Sequence, residues 1–117
     1  MRKPMIIVFA AGALTLPTAL LAADPAAGKI FWNTEYSQAD SSPARRCATC
    51  HGQDLTQPGR HAKTGKTIEP LAPSVNPQRL TDPQKVEKWL LRNCNWTLGR
   101  DCTGTEKADV ISYIKTQ

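Results

Sequence analysis

Methionine is almost missing from this chain. Its 2 methionines are Met1 and Met5, so no thioether side chain follows residue 5. Histidine is as scarce: His51 and His61 are the only 2, which excludes a histidine-rich metal cage. Long apolar runs are lacking beyond the first, Met5 to Leu21. An excess of one charge is lacking too. Without Arg2 and Lys3 the chain keeps 13 Lys+Arg against 10 Asp+Glu, a net +3. That balance offers no case for nucleic acid binding.

The first residues have the order of a secretory signal peptide. Arg2 and Lys3 give a charged start, Met5 to Leu21 an apolar stretch interrupted by Pro17, and Ala22-Ala23 small residues before Asp24. Cleavage is expected after Ala22 or Ala23. This leaves residues 24–117 as one small domain, with no membrane span in the mature form and a periplasmic location. A domain of this size often needs a staple or a cofactor to complete its core.

Four cysteines are present, and two of them stand in Cys47-Ala48-Thr49-Cys50-His51. C-x-x-C-H is the attachment signature of c-type haem. The two thiols form the covalent links and the adjacent histidine is placed to ligate the iron. A zinc site would need more ligands nearby, and a thioredoxin-like site a βαβ context that the chain lacks. Cys47 and Cys50 are thus the expected haem thioethers and His51 the proximal iron ligand. Two propionates would bring the net charge to about +1.

The remaining pattern is all-α. A first helix is expected over Ala26 to Tyr36, and a polar loop from Ser37 to Arg46. A helical turn follows at Cys47 to His51, and then a long loop, Gly52 to Pro77. Ile68, Leu71 and Val75 of that loop are expected to line a haem pocket. Asp82 as N-cap with Pro83 at the first helical position starts a helix that should run to about Cys94. Its apolar face is Val86, Trp89 and Leu90, and Asn93 continues that face. Thr103-Gly104-Thr105-Glu106 has capping-box spacing and opens a last helix, with Ala108, Ile111 and Ile114 on one face and Val110 and Tyr113 on its flank. Trp32, Trp89 and Trp96 read as core or haem-packing residues.

With methionine excluded, the second axial position has four candidates. His61 lies 10 residues after His51, a short link for crossing a tethered ring, and reads as a surface histidine. A lysine would have to be neutralised. The site could be open. Asn93 lies 42 residues after His51, far enough to reach the other face, though a helix-terminal asparagine often only satisfies backbone groups. Cys94 and Cys102, 8 residues apart, predict a disulfide in an exported protein, with free thiols as the alternative. Arg45, Arg46, Arg60, Lys63 and Lys66 gather around the haem motif, either as a solvated surface or as a dock for an acidic redox partner.

Three stretches, Thr64-Gly65-Lys66-Thr67-Ile68-Glu69-Pro70-Leu71-Ala72-Pro73, Arg92-Asn93-Cys94-Asn95 and Gly99-Arg100-Asp101-Cys102, closely resemble the sphaeroides haem protein family of exported class I monohaem cytochromes c. The resemblance runs from about Cys47 to the C-terminus. It implies a class I cytochrome c fold, Asn93 as a distal ligand that leaves the iron on reduction, and a Cys94–Cys102 disulfide. It implies binding of O₂, NO or CO by the reduced form, and a dihaem cytochrome c as electron partner. In the related cytochrome c″ type a histidine stands at the position of Asn93. A haem oxidoreductase acting on O₂ and NO, a plain electron carrier and a non-catalytic gas sensor or scavenger all follow as readings.

Overall fold

A computed structural model describes Gly12 and residues 22–117. The expected signal peptide, residues 1–23, lies almost wholly outside the described residues. No described helix is long and apolar enough to cross a membrane. The described chain is all-α apart from one minute hairpin. Its elements are α1 (Pro25–Asn33), α2 (Cys47–His51), β1 (Gly59–Arg60), β2 (Thr67–Ile68), α3 (Pro83–Leu98) and α4 (Gly104–Lys115).

Helix α1 starts where Asp24 caps it, its carboxylate accepting the Ala26 N–H at 2.9 Å ahead of Pro25 at the first position. It ends at Asn33, three residues before the expected Tyr36. Tyr36 instead exchanges both backbone hydrogen bonds with Arg45, at 2.8 and 3.0 Å, in an isolated antiparallel bridge. Those backbone groups are therefore not free to extend the helix.

Helices α1 and α4 form the main packed pair. Gly28 makes this approach possible: a Cβ there would collide with the Asp109 carbonyl of α4. Trp32, one turn on, meets Tyr113 with ring centroids 6.0 Å apart. The core comprises Trp32, Leu55, Ala72, Val110, Tyr113 and Ile114. The buried face of α4 is thus Val110, Tyr113 and Ile114, while Ala108 is exposed and Ile111 half-buried. The expected central face is rotated, because contact with Gly28 brings the Asp109–Tyr113 side of α4 onto α1.

The long loop is anchored at two points. Leu55 is 1% exposed and Ala72 fully buried, and the Ala72 N–H donates to the Leu55 carbonyl at 3.0 Å. Between them β1 and β2 pair antiparallel, Gly59 opposite Ile68 and Arg60 opposite Thr67. Two residues per strand are too few to show alternation in a sequence.

Helix α3 begins as expected, with Asp82 accepting the N–H groups of Gln84 and Lys85 at 3.0 and 3.3 Å. It runs to Leu98, four residues beyond the expected end at Cys94. The true stop is Gly99, left-handed at φ 75°. Asn95 lies within the helix, and its side-chain amide donates to the Leu91 carbonyl at 2.8 Å. Cys94 and Cys102 form the expected disulfide, with Cα atoms 5.6 Å apart. The bridge therefore leaves α3 one turn before its end. Helix α4 follows with its capping box intact: Thr103 Oγ1 accepts the Glu106 N–H at 3.2 Å, and Glu106 accepts the Thr103 N–H at 2.8 Å.

Candidate haem site

The single turn of α2 places Cys47 and Cys50 three residues apart, and His51 four after Cys47, on neighbouring positions of one face. Its start is fixed by the Arg46 N–H, which donates to Thr49 Oγ1 at 3.0 Å. Its end is Gly52, at φ 76°, a conformation that favours glycine. The Gly52 carbonyl accepts the Trp32 indole N–H at 3.1 Å. The Trp32 and His51 rings lie 5.4 Å apart, so the buried tryptophan of α1 holds the turn that carries the imidazole.

Cys47 and Cys50 are both free thiols. Burial pushes Cys47 up to about 11, with the neighbouring Cys50 adding to the rise. Burial pushes His51 down to about 4, and the charge of Arg79 acts in the same direction. The imidazole is therefore neutral at ordinary pH, with a lone pair to give. Neither of its ring nitrogens has a hydrogen-bond partner among the described residues.

These three residues line a cavity of about 650 Å³. Helices α1 and α4 contribute Phe31, Val110 and Ile114, and the loop contributes Ile68, Leu71 and Leu80. Ile68 and Leu71 match expectation. Val75 does not: it is 54% exposed, because the turn over Ala72–Asn76 directs Ala72 into the core and lets the Asn76 amide donate to the Pro70 carbonyl at 3.1 Å. Helix α3 supplies Val86, Trp89, Leu90, Asn93 and Trp96. Trp89 is 51% exposed, lining the cavity rather than filling a core.

Asn93 follows Val86 and Leu90 along α3 as the helical spacing expects. Its side chain is exposed along the cavity and has no hydrogen-bond partner among the described residues. It is not a helix-terminal asparagine satisfying backbone groups; Asn95 does that instead. His61 also lines the cavity, but it is half-buried rather than a surface residue. Its Nδ1 accepts the N–H groups of Lys63 and Thr64 at 3.2 and 3.1 Å, and its ring lies 5.5 Å from that of Trp96.

Two arginines have roles that no local pattern signals. Arg45, grouped by sequence with the basic residues around the haem motif, is half-buried. Its guanidinium lies 3.7 Å from the centre of the Trp96 ring and donates to the Trp96 carbonyl at 2.9 Å. Arg79 lines the cavity while its guanidinium donates to the Pro70 and Glu69 carbonyls at 3.0 and 2.8 Å. The Arg45 contact spans 51 residues of chain, and the Arg79 contacts close the loop between Glu69 and Arg79. Arg60, Lys63 and Lys66 remain exposed.

This donor set fits haem c. Two free thiols and a neutral imidazole share one wall of an apolar cavity, whose volume falls in the range of roughly 300–1,000 Å³ common for cofactor sites. Comparison with known proteins bears this out. A family model described as a domain of unknown function, DUF1924, matches residues 18–114. The cytochrome c-type protein SHP of Cereibacter sphaeroides is 49% identical over 88 residues, covering 75% of this chain and 66% of that protein. Cytochrome c″ of Methylophilus methylotrophus is 43% identical over 90 residues, covering 77% of this chain and 62% of that protein. The solved structure of oxidized SHP, an oxygen binding cytochrome c, superposes with a TM-score of 0.73 at 46% identity, covering 81% of this chain and 83% of that one. The matched segments thus span slightly less than two thirds of the two curated relatives' own length. Fold, cavity and relatives lead to one assignment: the chain belongs to the DUF1924 family, alongside the sphaeroides haem protein and cytochrome c″, and is a monohaem c-type cytochrome with an all-α cytochrome c fold and a covalently attached haem c.

Proposed function

We propose that the protein is an exported cytochrome with His51 as lasting axial ligand and Asn93 as a displaceable one, and that reduction frees the position of Asn93 for O₂, NO or CO. On this reading residues 1–23 are the removed signal peptide, residues 24–117 are the periplasmic domain, and a dihaem cytochrome c supplies the electrons. Haem c supplies a one-electron iron couple and a coordination position that a small molecule can take. Cys47 and Cys50 tether it through thioethers. His51, neutral through burial, donates a ring nitrogen. Asn93 offers a neutral amide, a weak donor that a harder ferric centre holds better than a ferrous one.

The reading is carried by one observation: the side chains of His51 and Asn93, from α2 and α3, line the same cavity and bond no other described residue. Two relatives support it. SHP is described as oxygen binding, and cytochrome c″ is described in terms of haem-ligand detachment. The test is the anaerobic visible spectrum before and after reduction. A ferrous form that turns high-spin and five-coordinate is expected, and Asn93→Ala is expected to open the site already in the ferric form. A ferrous form that stays low-spin and six-coordinate would identify a plain electron carrier instead. An Asn93→Ala protein with unchanged ferric ligation would remove Asn93 from the site.

A further inference from the structure

The Asn93 side chain has no hydrogen-bond partner among the described residues, yet the turn of α3 that follows it is tied down at several points. Cys94 is bridged to Cys102. The Thr97 carbonyl accepts from Gln38 Nε2 at 3.0 Å. Trp96 has the most unusual attachment. Its ring is contacted by the Arg45 guanidinium at 3.7 Å and by the His61 ring at 5.5 Å, and its carbonyl accepts from Arg45 at 2.9 Å. By contrast, the part of α3 before Asn93 has one polar side-chain contact with another described element, an exposed Lys107–Glu87 pair at 3.3 Å, besides the half-buried Leu90 against the core. Exposed pairs of that kind contribute little.

Trp96 stands three residues after Asn93, so the two occupy adjacent positions on one face of α3. Arg45 and His61 come from opposite sides of the haem-attachment turn. Arg45 lies two residues before Cys47, and His61 stands next to Ala62, whose N–H points at Cys50 Sγ at 3.4 Å. The stack therefore couples the segment that fixes the haem to the turn that carries Asn93.

We propose that Trp96, gripped by Arg45 and His61, is a positioning residue that sets how firmly Asn93 holds its ligand position. The inference rests on Asn93 being the distal ligand. A clamp of this kind limits movement of the α3 backbone relative to α2. Loosening it lets Asn93 spend more time off the ligand position, and an added ligand then competes more easily. A cation–π contact of moderate strength converts to a change of roughly threefold to thirtyfold in an equilibrium.

The experiment titrates the oxidised holoprotein with azide and follows the visible spectrum. Arg45→Gln and Trp96→Leu should tighten apparent azide affinity by roughly threefold to thirtyfold and raise the high-spin fraction before azide is added. Trp96→Phe should restore most of the original behaviour. Arg45→Gln leaves the Trp96 ring in place, so it remains informative if Trp96→Leu fails to fold. Asn93→Ala is the control for the underlying reading: unchanged azide affinity there would show that Asn93 is no ligand, and the clamp would fall with it. If Asn93→Ala binds azide more tightly while the Arg45 and Trp96 variants match the parent protein, the clamp alone is overturned. It is overturned equally if Arg45→Gln still tightens binding in the Asn93→Ala background, since the effect would then not pass through Asn93.

Discussion

Gly28 shows how much of this fold turns on one missing side chain. The α1–α4 crossing brings the Asp109 carbonyl where a Cβ on residue 28 would stand, with Tyr113 Cβ 2.8 Å away. Neither neighbour can yield readily: one is helix backbone and the other belongs to a buried ring. Gly28→Ala should therefore destabilise the holoprotein by about 1–3 kcal/mol, whereas alanine normally adds about 1 kcal/mol to a helix interior. Urea denaturation would check this, and an unchanged or raised midpoint would mean that the two helices can part at no cost. The sequence offers Gly28 only as a small residue within a helical stretch. Arg45 is hidden in a similar way: it reads as one more surface cation, because its partner Trp96 lies 51 residues away. The Cys47, Cys50 and His51 triplet lies at the other extreme, since its spacing alone dictates which side chains share a face.

At the scale of the element, starts were easier to read than ends. Asp82-Pro83 and Thr103–Glu106 are satisfied by contacts within three residues, so local sequence specifies them. The end of α3 is different. Its expected end is about Cys94, yet the helix continues to Leu98 and stops only at left-handed Gly99. The buried face of α4 keeps Ile114 but is centred on the expected flank, Val110 and Tyr113, since its phase depends on α1. The capping box of α4 leads to a pH prediction. Glu106 is held down to about 2, first by its hydrogen bonds from Arg100, at 2.8 and 2.9 Å, with the Thr103 N–H assisting. Its folded value lies below its ordinary 4.5, so the stabilisation is fully present above that pH and is lost as pH falls towards 2. Arg100 is half exposed, and solvent screening keeps the contribution to about 1 kcal/mol. The parent protein should melt above Glu106→Gln at pH 7, and the two should converge between pH 4.5 and 2. A gap that is constant across that range would assign the effect to helix propensity rather than charge.

At the scale of the whole molecule, the helices do not enclose one continuous protein core. Helices α1 and α4 pack on each other with Leu55 and Ala72, whereas Val86, Trp89 and Leu90 of α3 look onto the cavity. This organisation was legible only in outline. An attachment motif, a long loop and an apolar helix face imply that something large must be wrapped, but how α3 is tied down depends on contacts that no periodicity reveals. On the proposed attachment through Cys47 and Cys50, replacing both by Ser would leave the cavity of about 650 Å³ to collapse or fill with water. The apolar side chains lining the cavity would lose their packing partner, in a small domain whose whole stability is roughly 5–15 kcal/mol. The 83–93 part of α3, which has few other ties, should give way first. The expected result is a lower helix content by far-UV circular dichroism. Fast amide exchange should appear across residues 83–93, with the slowest exchange surviving in α1 and α4. Uniform protection in the haem-free variant, with a melting temperature equal to that of the holoprotein, would show that the helices hold their places without the haem.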